Sequence, residues 1–155
     1  MKLKILWPGR TRNGDIKIIQ DDFLKKIRRL SKCDLIETKE ARGIDEKDEK
    51  KIMEIEAQGL EKYFGNDYIL CLSDKGKEMS SEKFAKFLEK RTSHSARTST
   101  FVVGGFLGLD NRIIQKADFL LSLSKMTFSH ELIRLILLEQ IYRSLTIMKG
   151  QHYAK

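Results

Sequence analysis

Short β-type runs alternate with longer stretches of helical period from one end of this chain to the other, and that alternation restricts the fold more than any single motif. Strand, helix and strand in succession close most readily as a crossover unit, so the pattern predicts an α/β fold on one mainly parallel sheet flanked by helices. Five strands are expected, at Lys2 to Leu6, Asp34 to Thr38, Tyr68 to Leu72, Thr100 to Val103 and Phe119 to Leu123. Between them Ile16, Ile19, Phe23, Ile27 and Leu30 recur at helical spacing, as do Ile52, Ile55, Leu60 and Tyr63, which gives two amphipathic helices with charged outer faces. Ser80 is a good N-cap for a helix that buries Phe84, Phe87 and Leu88, and Asp110 caps a short one that buries Ile113, Ile114 and Ala117. The last helix, from about Glu131 to Lys149, puts Leu135, Leu138, Ile141, Leu145 and Met148 on one side and Ile133, Leu137 and Tyr142 off that stripe. A helix apolar on two sides needs two partners, and the sheet and a second subunit are the expected pair.

A chain of 155 residues buries about 70% of its unfolded surface without disulfides, so one domain spanning 1–155 is expected. Pro8 is the only proline, and no Ser/Gly-rich linker or internal repeat marks a boundary. The apolar run at Met1 to Pro8 is too short for a signal peptide, and no later stretch approaches ~18 uninterrupted apolar residues. A cytoplasmic protein with no membrane partner is therefore expected. Cys33 and Cys71 are isolated and read as packed, reduced thiols rather than a disulfide or zinc framework. Thirty Lys and Arg against 22 Asp and Glu leave a formal charge of +8, enough to attract a polyanion such as RNA by counterion release. A solvated charged surface accounts for the net charge equally well, but Arg10 with Arg12, Lys25-Lys26 with Arg28-Arg29, and Lys39 with Arg42 cluster in the first third.

The chemistry-bearing residues concentrate in the last third. The turn Gly104-Gly105-x-x-Gly108 follows a strand and precedes a helix, where backbone N–H groups can approach a ligand closely. It lacks the spacing of a dinucleotide site and the Lys-Ser/Thr of a P-loop, and taken alone it reads as a structural turn before it reads as a ligand site. Leu121 to Phe128 sets the hydroxyls of Ser122, Ser124 and Thr127 beside Met126 and Phe128; such a loop can wrap an adenine, or be an ordinary serine-containing turn. His130 and Arg134 share a face at the start of the last helix, where a histidine is biased toward its neutral form and an arginine can hold a phosphate or carboxylate. His94 and His152 build no metal cluster with His130, and no metal is expected. Neither a GxSxG elbow nor a spaced Cys-His pair offers a nucleophile.

Together with Met1 to Ile5 and Arg42-Gly43, these residues make the whole chain resemble the small, single-domain SPOUT methyltransferases that modify pseudouridine at N3 in large-subunit (23S) ribosomal RNA. The most specific parts are Gly104-Gly105-x-x-Gly108-Leu109, Leu121-Ser122-Leu123-Ser124, His130-x-x-x-Arg134 and Glu139-Gln140-Ile141-Tyr142-Arg143. The resemblance implies a C-terminal deep trefoil knot, a rare exception to unknotted topology. It also implies S-adenosylmethionine as cofactor, a homodimer, and ribosomal RNA in the assembled ribosome as the partner. Carried over by position, Leu72, Gly104, Leu123, Ser124, Lys125, Met126, Thr127 and Phe128 would bind the cofactor. His130, Arg134 and Tyr153 would be catalytic, and Arg10, Arg42, Arg143 and Lys155 would contact RNA. The ring nitrogen must lose a proton, with His130, Tyr153 and water as candidate acceptors. Two departures stand out. Ala154 follows Tyr153 where many relatives carry histidine, and Phe106-Leu107 promise a more apolar wall in the glycine turn. Ala154 also motivates the alternative, a catalytically weakened RNA- or ribosome-binding protein of the same fold.

Overall fold

A computed structural model of the chain describes residues 1–153, so Ala154 and Lys155 lie outside the described residues. In chain order the elements are β1 (Lys2–Pro8), α1 (Gly14–Leu30), β2 (Lys32–Thr38), α2 (Glu49–Glu61), β3 (Tyr68–Glu78), α3 (Ser81–His94), β4 (Ser99–Val102), α4 (Asn111–Ile114), β5 (Phe119–Ser122) and α5 (His130–Met148). The five strands form one sheet in the order β2-β1-β4-β3-β5, and every pairing is parallel. All five expected strands are present.

Parallel strands are buried on both faces, and the side-chain alternation divides this core in two. Leu3, Ile5 and Trp7 of β1 point to one face with Leu70, Phe101 and Leu121, where α1, α3 and α5 cover them through Leu24, Ile27, Phe84, Leu88, Leu137, Leu138, Ile141 and Leu145. Leu6, Ile69, Cys71 and Val102 point to the other, beneath Ala57 and Leu60 of α2 and Ile113 of α4. Both cysteines are free and buried, and desolvation pushes the Cys33 thiol up to about 11 and that of Cys71 to about 12.

Each helix starts where a short polar side chain meets an orphan amide. Asn13 accepts from Asp15 N and Ile16 N, Ser80 from Lys83 N, Asp110 from Arg112 N, and Ser129 from Leu132 N. The buried stripes differ from the expected ones in two helices. In α1, Gln20, Leu24 and Ile27 are buried while Ile19 is exposed, because Gln20 Oε1 accepts the Thr11 hydroxyl at 2.6 Å and turns inward. In α2, Tyr63 lies past the helix end and is exposed, and Glu56 takes an inward position. Helix α5 lies between α1 and α3 on the sheet, so two neighbours within the same chain cover most of its apolar surface. Leu132 and Ile147 remain exposed.

Strand β3 runs six residues past the expected Leu72. It pairs with β5 through Leu72↔Leu121, breaks register, and pairs again through Lys77↔Leu121 and Glu78↔Ser122. The polar run Ser73-Asp74-Lys75-Gly76-Lys77 looks like a loop in sequence; here it bulges around the end of β5, and Gly76 lies so close that a Cβ would stand 2.7 Å from the Leu120 and Leu121 backbone. This crossing is consistent with the C-terminal threading implied by the resemblance.

Candidate functional site

The C-terminal edge of a parallel sheet is where loops carry ligands, and here it opens into a cavity of about 700 Å³. Three segments wall it: Ser73 to Lys75 after the register break in β3, the turn Val103 to Leu109 after β4, and Leu120 to Phe128 around the end of β5. His130 and Ile133 of α5, Met53 of α2, and Asn111 and Ile114 of α4 complete the lining.

Glycine is required in the β4 turn for two different reasons. Gly108 has φ +80°, in the left-handed region that L side chains avoid, and it donates its N–H to Gly105 O at 3.0 Å. Gly104 has no such φ, but a Cβ there would stand 2.5 Å from Gly108 C and 2.8 Å from Leu109 N. The turn is thus folded back on itself and presents main-chain edges to the cavity. Opposite it, the Ser122 hydroxyl donates to Ser124 O at 3.0 Å, and Ser124 Oγ accepts from Met126 N at 3.0 Å. These bonds shape a compact loop whose side chains serve its own backbone. Met126 is 76% exposed and Phe106 59% exposed, two apolar side chains at the mouth without a covering partner among the described residues.

Of the residues carried over for cofactor binding, Leu72, Gly104, Leu123, Ser124, Met126, Thr127 and Phe128 all line this cavity. Lys125 does not; its side chain is exposed to solvent beside it. His130 lines the cavity as well, and its imidazole is pulled below the usual histidine range by burial and by the neighbouring Arg134 cation.

Arg134 sits one helical turn on, but it faces inward. It is 1% exposed, donates from Nη2 to Pro8 O at 2.7 Å and from Nη1 to Thr11 Oγ1 at 3.3 Å, and stacks 4.9 Å from the Trp7 ring. Burial draws it down to about 10, still charged at neutral pH, while Glu131, Glu37, Glu40 and Glu56 support the cation. Its fork braces the end of β1 against α5 and is occupied by backbone, which differs from the expected grip on a nucleotide. Glu131 completes the brace by accepting from Arg12 N at 2.7 Å and Asn13 N at 3.0 Å.

Tyr153 lies apart from the cavity. The ring packs edge-on against Tyr142 with centroids 5.0 Å apart, and the Arg143 guanidinium stands 4.4 Å from it while pairing with Glu139 at 2.7 Å. Tyr142 is twelve residues along α5 from His130, about 18 Å at helical rise. One chain therefore does not bring His130 together with Tyr153 and Arg143. Arg10 and Arg42 are exposed, follow the paired ends of β1 and β2, and so flank the same sheet edge as the cavity. Lys155 is outside the described residues. Among the described residues no group of three or more His, Cys, Asp or Glu is placed to hold a metal ion.

A family model described as "Predicted SPOUT methyltransferase" matches residues 1–154. The chain belongs to the SPOUT methyltransferase family. This SPOUT methyltransferase is 36% identical over 159 residues to the ribosomal RNA large subunit methyltransferase H 1 of Clostridium perfringens, covering all of both chains. It is 38% identical over 152 residues to the ribosomal RNA large subunit methyltransferase H of Thermodesulfovibrio yellowstonii, covering 98% of this chain and 97% of that protein. Two solved structures share the fold at low identity. A probable methyltransferase from Bordetella pertussis aligns with TM-score 0.57 at 10% identity over 93% of this chain and 94% of that one. The SpoU methyltransferase AviRb from Streptomyces viridochromogenes aligns with TM-score 0.52 at 14% identity over 97% and 61%. Sequence reasoning missed the Ser73 to Lys75 wall, Met53, and the inward Glu56 of this SPOUT methyltransferase. Only the glycine at position 76 hinted at the first, as a place where backbones approach.

Proposed function

We propose that this chain methylates N3 of a pseudouridine in 23S ribosomal RNA of the assembled ribosome, with S-adenosylmethionine as donor and a homodimer as the working unit. The observation that carries the reading is the cavity walled by folded-back main chain at Gly104 to Leu109 and Leu121 to Phe128, with His130 at its edge. A cavity of about 700 Å³ suits a nucleoside-sized ligand, and a side chain at Gly104 would close the cradle, so the residues present fit such a donor. Bound there, the donor supplies an electrophilic methyl group on a sulfonium. The chain's own share is positioning: main-chain N–H and C=O groups orient the purine edge, and Leu72, Leu123 and Phe128 exclude water around it.

His130 is the best-placed proton acceptor, since it lines the cavity and burial keeps it neutral at pH 7. Tyr153 and Arg143 reach a catalytic centre only if a second copy brings its α5 and tail to this cavity, which gives the exposed Leu132 and Ile147 a partner. The exposed Arg10 and Arg42 suit phosphate contacts beside the cavity. Transfer of a labelled methyl group to whole ribosomes, free large subunits and protein-free 23S RNA tests the reading, with nuclease digestion and mass spectrometry locating the product. Methylation of a pseudouridine in whole ribosomes is expected; donor binding without transfer to any of the three would replace it with the binding-protein alternative.

A further inference from the structure

Glu56 is a buried carboxyl that has figured so far only as electrostatic support for the Arg134 cation. It projects from α2 one turn after Met53, which lines the cavity, and only 5% of it is exposed. Its carboxylate presses against the glycine turn: a Cβ on Gly105 would meet Oε2 at 2.8 Å and Oε1 at 3.0 Å. No hydrogen bond or ion pair reaches this carboxylate among the described residues. Its oxygens are not among the side-chain atoms sealed from solvent without a partner, so the group keeps a narrow contact with water, yet a largely buried carboxyl with no protein partner still calls for an explanation.

The charges around it do not supply one. From the segment after β2, Glu40 adds a second negative charge and is itself paired with Arg12 at 2.7 Å. From α5, the Arg134 cation acts on Glu56, but its Nη1 and Nη2 donate to Pro8, Gly9 and Thr11, and its buried Nε has no partner. His130, Glu131 and Glu37 surround that arginine rather than Glu56. Burial and Glu40 together raise the Glu56 carboxyl to about 7. The cavity lining itself offers a single carboxylate, Asp74, which is exposed beside Lys75 and screened by water.

We propose that Glu56 provides the counter-charge for a cationic sulfonium donor from one backbone layer behind the Gly104–Gly105 turn, so that the cavity holds the charged donor more tightly than its neutral thioether product. The assignment rests on reading the cavity as the methyl-donor site. Direct contact is unnecessary, because a charge in a poorly hydrated wall acts across several ångströms where an exposed one does not. The carboxylate favours the sulfonium before transfer and loses that favour once the methyl leaves, which promotes product release.

Binding of a cation next to Glu56 must lower its proton affinity. Donor binding at about pH 6.5 should therefore release roughly half a proton for a one-unit fall in the carboxyl's pKa. Calorimetric titration of the full chain with S-adenosylmethionine and with S-adenosylhomocysteine, in two buffers of different ionisation enthalpy, reads this directly. Proton release is expected for the sulfonium only, with a preference over the thioether that grows about fivefold between pH 6 and pH 8. In Glu56→Gln the release and its pH dependence should vanish while both ligands still bind. Equal proton release in wild type and Glu56→Gln, or none in wild type, overturns the role of Glu56 and leaves the donor site standing. Failure of both ligands to bind the wild type overturns the donor site and this role together. Were Glu56→Gln unable to fold, the wild-type contrast between the two ligands would still decide.

Discussion

Replacing Gly104 with alanine is the sharpest probe of the donor cavity, because its effect follows from distances alone. The added methyl would stand 2.5 Å from Gly108 C and 2.8 Å from Gly108 O, about 0.9 Å short of ordinary contact at the closest point. The obstacle is main chain, so no rotamer change relieves it and the turn itself must move. Overpacking of this kind costs roughly 1–3 kcal/mol, which lowers the thermal midpoint of a chain this size by roughly 2–12 °C. The ligand-facing edge would shift with it, and a displacement near 1 Å in a positioning element costs up to about a hundredfold. Donor affinity by calorimetry should accordingly fall at least tenfold, with the midpoint read by circular dichroism. Gly14→Ala is the control: nothing lies within 4 Å of its Cβ position at the start of α1, so it should leave both readings at or slightly above wild type. A Gly104→Ala protein with wild-type donor affinity and an unchanged midpoint would refute the folded-back turn as the wall of the site.

Three further outcomes follow from other residues. Arg134→Ala should strand the Pro8 and Gly9 carbonyls and cost about 2–4 kcal/mol, with Arg134→Lys between it and wild type; loss of methyl transfer at an unchanged unfolding midpoint would instead favour a nucleotide-contacting role. Glu56 has a folded-state pKa raised from 4.5 to about 7, so its contribution to stability is full below pH 4.5 and fades as pH rises through 7; Glu56→Gln should therefore match wild type near pH 4.5 and unfold at a higher temperature at pH 8, and a lower midpoint there would contradict the unpaired carboxyl. The double change Arg10→Ala with Arg42→Ala should weaken ribosome binding and reduce its logarithmic salt dependence by up to about 1.5, with donor affinity unaltered; an unchanged salt slope would remove both from the RNA surface.

The parallel sheet was legible because each strand is a short aliphatic run between helices, and every expected strand appears, displaced at its ends by three residues or fewer except in β3. That exception is informative. Ser73-Asp74-Lys75-Gly76-Lys77 has the composition of a loop, yet it returns to pair with β5 because the two backbones meet at Gly76, a long-range condition that local propensity does not encode. The cavity residues were legible for a related reason: Gly104 and Gly108 are locally costly choices that a folded-back turn demands, and their nearness to the serine run marked that end of the chain as a place for a ligand. Arg134 was visible as a motif but not as a brace, since its partners lie more than 120 residues away in the chain. Glu56 was hidden altogether, because a glutamate in a charged helix looks like part of a solvated face.

Glu56 and Gly104 bear on one another. A sequence under pressure for stability alone would place an apolar side chain at position 56 and relax the turn at 104, since a buried unpaired carboxyl and a turn that admits no Cβ each forgo stability. The two meet at Gly105, where the carboxylate touches the far side of the same turn whose near side walls the cavity. Packing explains why position 105 must be glycine beside the Glu56 carboxylate, but not why a carboxylate rather than an apolar group stands there. A cationic ligand held against that turn links them: the glycines let main chain reach it closely, and the carboxylate behind them sets the sign of the field it meets.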